Sequence, residues 1–241
     1  MVKFVRDTTG RFSQRPHYEP QELDRECEAI ITKFLKDKYG KVEFPISTDD
    51  LTVLIERDTC DFDPYADLSA YGSEVEGVTE FQPKGKPAVK IAAALSNDSR
   101  RENRLRTTLT HEYGHVHFHA YLWQVEPPIA DLLRQRPNAN KQICKRDGIL
   151  NAAPADWMEW QAGHVSGALL MPVSSLRKSV TAYLDAHSLF GMVGTGGPHS
   201  QALIERVQQE FQVSADAARV RLLKLNILGA EDAGPSLFSH P

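Results

Sequence analysis

The chain has 241 residues, 41% of them hydrophobic and 25% charged, with a mean hydropathy of −0.40. This is the profile of one medium-sized globular domain, or a domain with an appendage, large enough to bury a core without disulfide or metal staples. A formal net charge of −4 argues against a general polyanion-binding surface, and three distant cysteines with no CxxC pair argue against a disulfide framework or a cysteine zinc knuckle.

The first residues lack the apolar core of a signal peptide, and no run of roughly eighteen uncharged apolar residues suggests a membrane span. A cytoplasmic protein is the expectation. Residues 1–20 mix Lys3, Arg6, Arg11 and Arg15 with Phe4, Phe12 and Tyr18, and read as a loosely ordered arm that packs two aromatics on the body. Ile30, Ile31, Phe34 and Leu35 recur at helical spacing, which predicts an amphipathic helix over 21–39, closed by Gly40. A short helix over 51–57 follows, with Thr48 or Asp49 as its cap.

The texture then changes to strand. Residues 78–81 and 88–92 favour β structure on either side of the turn at 83–87, predicting a hairpin or small sheet. Asn97 and Asp98 supply a capping signal for a long helix over about 100–123. The stretch 121–155, rich in proline and asparagine, reads as a surface insertion with a short helix around 129–136. Asp156 caps a helix that runs to Leu170 and stops before Pro172. Another helix starts at Ser174 or Ser175 and ends at the glycine-rich loop 191–197, which has neither the lysine nor the preceding strand of a phosphate cradle. Helices over 201–211 and 215–225 flank Gln212-Val213-Ser214, and the chain after 229 reads as a loose tail.

Chemistry concentrates in His111-Glu112-Tyr113-Gly114-His115. On a helix, residues four apart share a face, so two imidazoles so placed can hold one tetrahedral ion. Glu112, at an adjacent angle, can then act as general base toward a water activated by that ion. The pentapeptide also arises by chance on ordinary helices. Leu105, Leu109, Tyr113 and Val116 favour a buried helix, where histidines and a glutamate need partners or metal.

A catalytic ion needs a third protein ligand. Glu159 admits two readings: the third residue of a capping box begun by Asp156, or a carboxylate pointing across to the histidine helix. The small residues Ala162, Gly163, Ser166 and Gly167 would let the two helices approach closely. His119 continues the register of His111 and His115, but three successive turns of a straight helix span about 12 Å, too far for one ion. It reads as a core residue or a support to the ligands. His164 swings off the Glu159 face and is a weak candidate oxyanion donor.

These residues carry a resemblance. The segment Thr107-Thr108-Leu109-Thr110-His111-Glu112-Tyr113-Gly114-His115, with His119 after it, resembles one signature of the ImmA/IrrE metallopeptidases. The segment from Glu159-Trp160-Gln161-Ala162 to Leu169-Leu170-Met171-Pro172 is similar to their second, although Gly163 stands where asparagine is usual. The end, Phe211-Gln212-Val213-Ser214 through Leu222, is similar to their closing helices, and the likeness covers roughly 45–228.

The resemblance implies His111, His115 and Glu159 as metal ligands and Glu112 as the catalytic carboxylate. It further implies a zinc-dependent endopeptidase whose protein substrate is a helix-turn-helix transcriptional repressor; a site of two histidines and one carboxylate also admits manganese.

The expected fold is α+β: a zincin-like, mainly helical body over 21–190 with a small sheet beside the HExxH helix, plus a helix-turn-helix-like subdomain over 198–228. An extended substrate would lie against an edge strand at 88–92. Two other functions compete with the peptidase reading: a metal-stabilised regulator that binds a repressor without cutting it, and a DNA-binding protein acting through 200–226. Only Arg219, Arg221 and Lys224 follow the turn of the last two helices, so direct nucleic-acid binding is not expected.

Overall fold

A computed structural model describes residues 2–125, 140–145 and 156–229. It is α+β and divides into two compact units, Met1–Pro172 and Val173–Pro241. The division falls at Pro172, not near residue 190, so the helix after the proline groups with the C-terminal helices. Among the described residues, no helix is long and apolar enough to cross a membrane.

The N-terminal segment is a paired hairpin instead of a loose arm. Strands β1 (Lys3–Arg6) and β2 (Gln14–His17) are antiparallel. The Asp7 carboxylate accepts from the backbone N–H of Thr9 and of Phe12, which closes the turn. That turn drives Phe12 into a core cluster with Phe81, Trp123 and Trp157. Phe81 and Trp123 stack with ring centroids 3.7 Å apart, while Phe4 stays exposed.

Helix α1 (Pro20–Tyr39) opens on a reciprocal capping box between Glu19 and Glu22 and ends at Gly40 in the left-handed conformation. It buries Leu23, Cys27, Ile31, Phe34 and Leu35. Helix α2 (Thr48–Asp58) starts one residue earlier than the cap signals at Thr48 and Asp49 suggest. Ser47 is the cap, its hydroxyl accepting from the Asp50 N–H, which leaves Asp49 and Asp50 in the first turn facing the positive helix end.

The central sheet has four strands in the order β3-β5-β4-β6: β3 (Asp61–Ala66), β4 (Val75–Glu80), β5 (Ala88–Ala92) and β6 (Lys141–Lys145). The expected antiparallel pair β4–β5 is present. Strand β3, parallel to β5, escapes sequence detection because acidic residues and Pro64 interrupt it, a composition suited to an edge strand with an irregular register. Strand β6 corrects the reading of 121–155 as a surface insertion, since its Cys144 is fully buried in the sheet. The helix expected around 129–136 and the tail 230–241 lie outside the described residues. Strand β5 pairs on both sides, so it cannot accept a substrate strand as the edge reading of 88–92 required.

Alternation assigns the two faces of the sheet. Val78 and Ile143, opposite one another, join Val75, Ala66 and Leu68 in an apolar cluster on one face. The partners Gly77/Cys144 and Thr79/Gln142 therefore share the other. After the short helix α3 (Ala93–Ser96) and a 3-10 turn capped by Asp98, helix α4 (Glu102–Val125) runs beneath the sheet. Nearly every residue of α4 from Arg106 to Trp123 is buried, as expected for a helix enclosed on several sides. Helix α5 (Trp157–Leu170), capped by Asp156, packs along it.

In the second unit, α6 (Val173–Ala186) precedes α7 (Pro198–Phe211) and α8 (Ala215–Lys224). Two short strands, β7 (Val193–Gly194) and β8 (Leu228–Gly229), pair in parallel. Gln212 is left-handed and Ser214 caps α8, so a tight turn joins the two helices. Arg221 is buried, so of the three basic residues named above only Arg219 and Lys224 face solvent. That weakens the DNA-binding alternative.

Candidate metal centre

Helix α4 places His111 and His115 on one face, both fully buried, with their Nε2 atoms 3.2 Å apart. Helix α5 brings the Glu159 carboxylate to the same point: Oε2 is 3.1 Å from His111 Nε2 and Oε1 is 3.2 Å from His115 Nε2. The close approach comes from small residues, as the sequence predicts. Gly114 lies against Ala162, and the Thr110 and Ser166 hydroxyls are 2.9 Å apart. Only the Asp156 half of the capping box forms: the Glu159 backbone N–H donates to the Asp156 carboxylate, while the Glu159 carboxylate reaches the histidines instead of the cap.

The donor set fits a divalent cation. Tetrahedral ligands at 2.0–2.1 Å from one zinc ion stand about 3.3 Å from each other. The three separations here, 3.1, 3.2 and 3.2 Å, match that edge length. The electrostatics agree. Burial alone would raise the Glu159 carboxyl and lower the His111 imidazolium. Their mutual attraction outweighs both effects, holding Glu159 well below the carboxylate range and lifting His111.

Two supports orient the ligands. Gln161 Nε2 donates to the Pro16 carbonyl, so its Oε1 accepts from His119 Nε2, 3.0 Å away. His119 Nδ1 is then the acceptor facing His115 Nδ1, which leaves the His115 Nε2 lone pair for an ion. Burial, followed by the neighbouring His115, pushes His119 well below its ordinary value and keeps it neutral. On the other side, Gln142 donates to Glu159 Oε1 at 2.6 Å and accepts from Arg11 at 2.7 Å.

Glu112 sits beside this triad, fully buried, with its Oε2 accepting from the Thr79 hydroxyl at 2.5 Å. Its Oε1 has no hydrogen-bond partner among the described residues and abuts Gly77, where an added Cβ would lie 2.3 Å away. Burial raises the Glu112 carboxyl, and this outweighs the opposing pull of His115 and His111. His164 is not at the centre, because its Nε2 pairs with Asp24 of α1 at 2.9 Å. His117 faces Glu26 and stacks on Tyr113.

Sequence reasoning finds His111, Glu112, His115 and Glu159, and it gives His119 a supporting role. It misses Gly77, Thr79, Gln142, Cys144 and Gln161. The alternation of β4 puts Gly77 and Thr79 on one face, but only the sheet order turns that face toward Glu112. The chain matches no family model and no curated protein. The case for function therefore rests on this geometry and on the motifs.

Proposed function

We propose that the chain is a metal-dependent endopeptidase, with zinc held by His111, His115 and Glu159 and with Glu112 as general base. The observation that carries this reading is the convergence of two Nε2 atoms and a carboxylate at tetrahedral spacing, with a buried carboxylate alongside. When bound, the ion would supply Lewis acidity toward the scissile carbonyl and lower the pKa of an attacking water. Glu112 takes the proton of that water and returns it to the leaving amine. Thr79 occupies one carboxylate oxygen, so Oε1 is the atom free to accept. Burial sets the carboxyl upward, toward the range in which a base can also serve as an acid.

An extended substrate fits β6 better than β5. Among the described residues β6 pairs only with β4, and its Gln142 touches Glu159. A substrate strand added there would bring its carbonyls to the metal centre. The resemblance to ImmA/IrrE peptidases supports a helix-turn-helix repressor as the substrate.

The test is to incubate the zinc-loaded chain with candidate repressors, with and without chelator, beside Glu112→Gln. Chelator-sensitive fragments that disappear in Glu112→Gln, with its zinc retained, support the reading. Proteolysis retained in that variant removes Glu112 from the role. Repressor bound but intact in every arm favours the non-cleaving regulator.

A further inference from the structure

His111 belongs to two clusters. Besides the triad with His115 and Glu159, ligand atoms of His111, Glu112 and Cys144 all lie within 4.8 Å of one another, and all three residues are buried. The sheet creates this second cluster. Cys144 of β6 stands opposite Gly77 of β4, on the face turned toward α4. The missing side chain at Gly77 lets the Glu112 carboxylate reach that position. His111 Nδ1 and Glu112 Oε1 are both buried without a hydrogen-bond partner among the described residues. His115, by contrast, has its Nδ1 matched by His119.

The donor types define what would satisfy these atoms. An imidazole, a carboxylate and a thiolate together suit a soft or borderline divalent cation. Without an ion the Cys144 side chain is an ordinary thiol and carries its proton at neutral pH. A thiophilic cation must displace that proton to bind.

We propose that His111, Glu112 and Cys144 form a second position for a thiophilic divalent cation, sharing His111 with the first, and that filling it silences Glu112. The silencing rests on the peptidase reading, whereas the binding does not. On binding, the Cys144 S–H bond breaks, a sulfur–metal bond forms and the proton leaves to solvent; with the first position also filled, His111 bridges as an imidazolate, its remaining N–H bond breaks and that proton leaves to solvent as well. A Glu112 oxygen becomes a ligand and no longer accepts a proton from water. No electron changes hands. Zinc in excess over the first position, or cadmium, has the required chemistry.

The full-length chain titrated with Co2+ tests this, read by the thiolate-to-cobalt charge-transfer band in the near ultraviolet. The wild-type chain shows the band. His115→Ala, which removes a ligand of the first cluster alone, keeps it. Cys144→Ala and the nearly isosteric Cys144→Ser lose it, with circular dichroism confirming that at least one of them folds. Absence of the band from wild type, its survival in a folded Cys144 variant, or its loss in His115→Ala each overturns the proposal. Failure of the first cluster looks different: folded Cys144 variants then take up no Co2+ while His115→Ala retains the band.

Discussion

His115 Nδ1 and His119 Nδ1 face each other at 3.0 Å, and the hydrogen between them belongs to His115. The assignment follows from a chain of donors that starts at a backbone carbonyl, Pro16, whose role as acceptor cannot be reversed. Gln161 and His119 pass that polarity on to the ligand ring. A residue about two turns from the start of the motif therefore works through its neighbour instead of touching an ion.

His119→Ala should weaken metal binding by about 10–100-fold, the usual cost of losing a hydrogen-bonded support behind a histidine ligand. Gln161→Leu should act in the same direction, because it frees His119 to take the other tautomer. Competition against a chelator of known affinity measures both. Unchanged affinity in His119→Ala would remove it from the relay.

On the proposed peptidase reading, Gly77→Ala separates the role of the Glu112 carboxylate from that of the metal ligands. The added Cβ would lie 2.3 Å from Glu112 Oε1 and 2.8 Å from its Cδ, so the side chain must move. The expected outcome is a folded chain with zinc content near wild type, cleavage lowered by roughly 10²-fold or more, and stability reduced by about 1–3 kcal/mol. Metal analysis, a cleavage assay and denaturant unfolding read the three quantities.

The sequence makes the helical part of this centre legible and leaves the sheet part obscure, for a physical reason. His111, Glu112 and His115 lie within one turn and a half of α4, and Glu159 follows its own cap by three residues, so local periodicity places all four. Gln142 and Cys144 reach the centre only because β6 pairs with β4, more than sixty residues away in the chain, and Thr79 only because β4 packs on α4. Strand β6 has only Ile143 and Cys144 as apolar residues, and nothing local marks it as a strand. The same dependence on long-range pairing hides the order β3-β5-β4-β6 and makes β5 look like an edge.

Gly114→Ala tests the approach of the two helices. A Cβ there would meet the Ala162 Cα at 3.0 Å and the Val165 Cβ at 3.3 Å. Backbone on α5 cannot rotate aside, so the helix itself must shift and carry Glu159 with it. The substitution should cost about 1–3 kcal/mol and weaken metal binding, although alanine has the better helix propensity. A gain in thermal stability with unchanged zinc affinity would show that the contact relaxes elsewhere.

Acid should loosen the centre from the N-terminal side through Asp7. Burial works against the Asp7 carboxylate, but donors from the Thr9 and Phe12 backbone, the Thr9 hydroxyl and the Trp157 indole outweigh it and hold its pKa below the ordinary value. A carboxyl depressed in the folded state adds stability above its unfolded pKa, near 3.9, and that stability is lost as pH falls through the lower folded value. The hairpin so anchored carries Arg11, which holds Gln142, and Pro16, which anchors the histidine relay. Asp7→Asn should therefore lower stability at neutral pH and flatten the acid limb of an unfolding profile between pH 5 and pH 2. An acid limb as steep in the variant as in the wild-type chain would show that another carboxylate governs it.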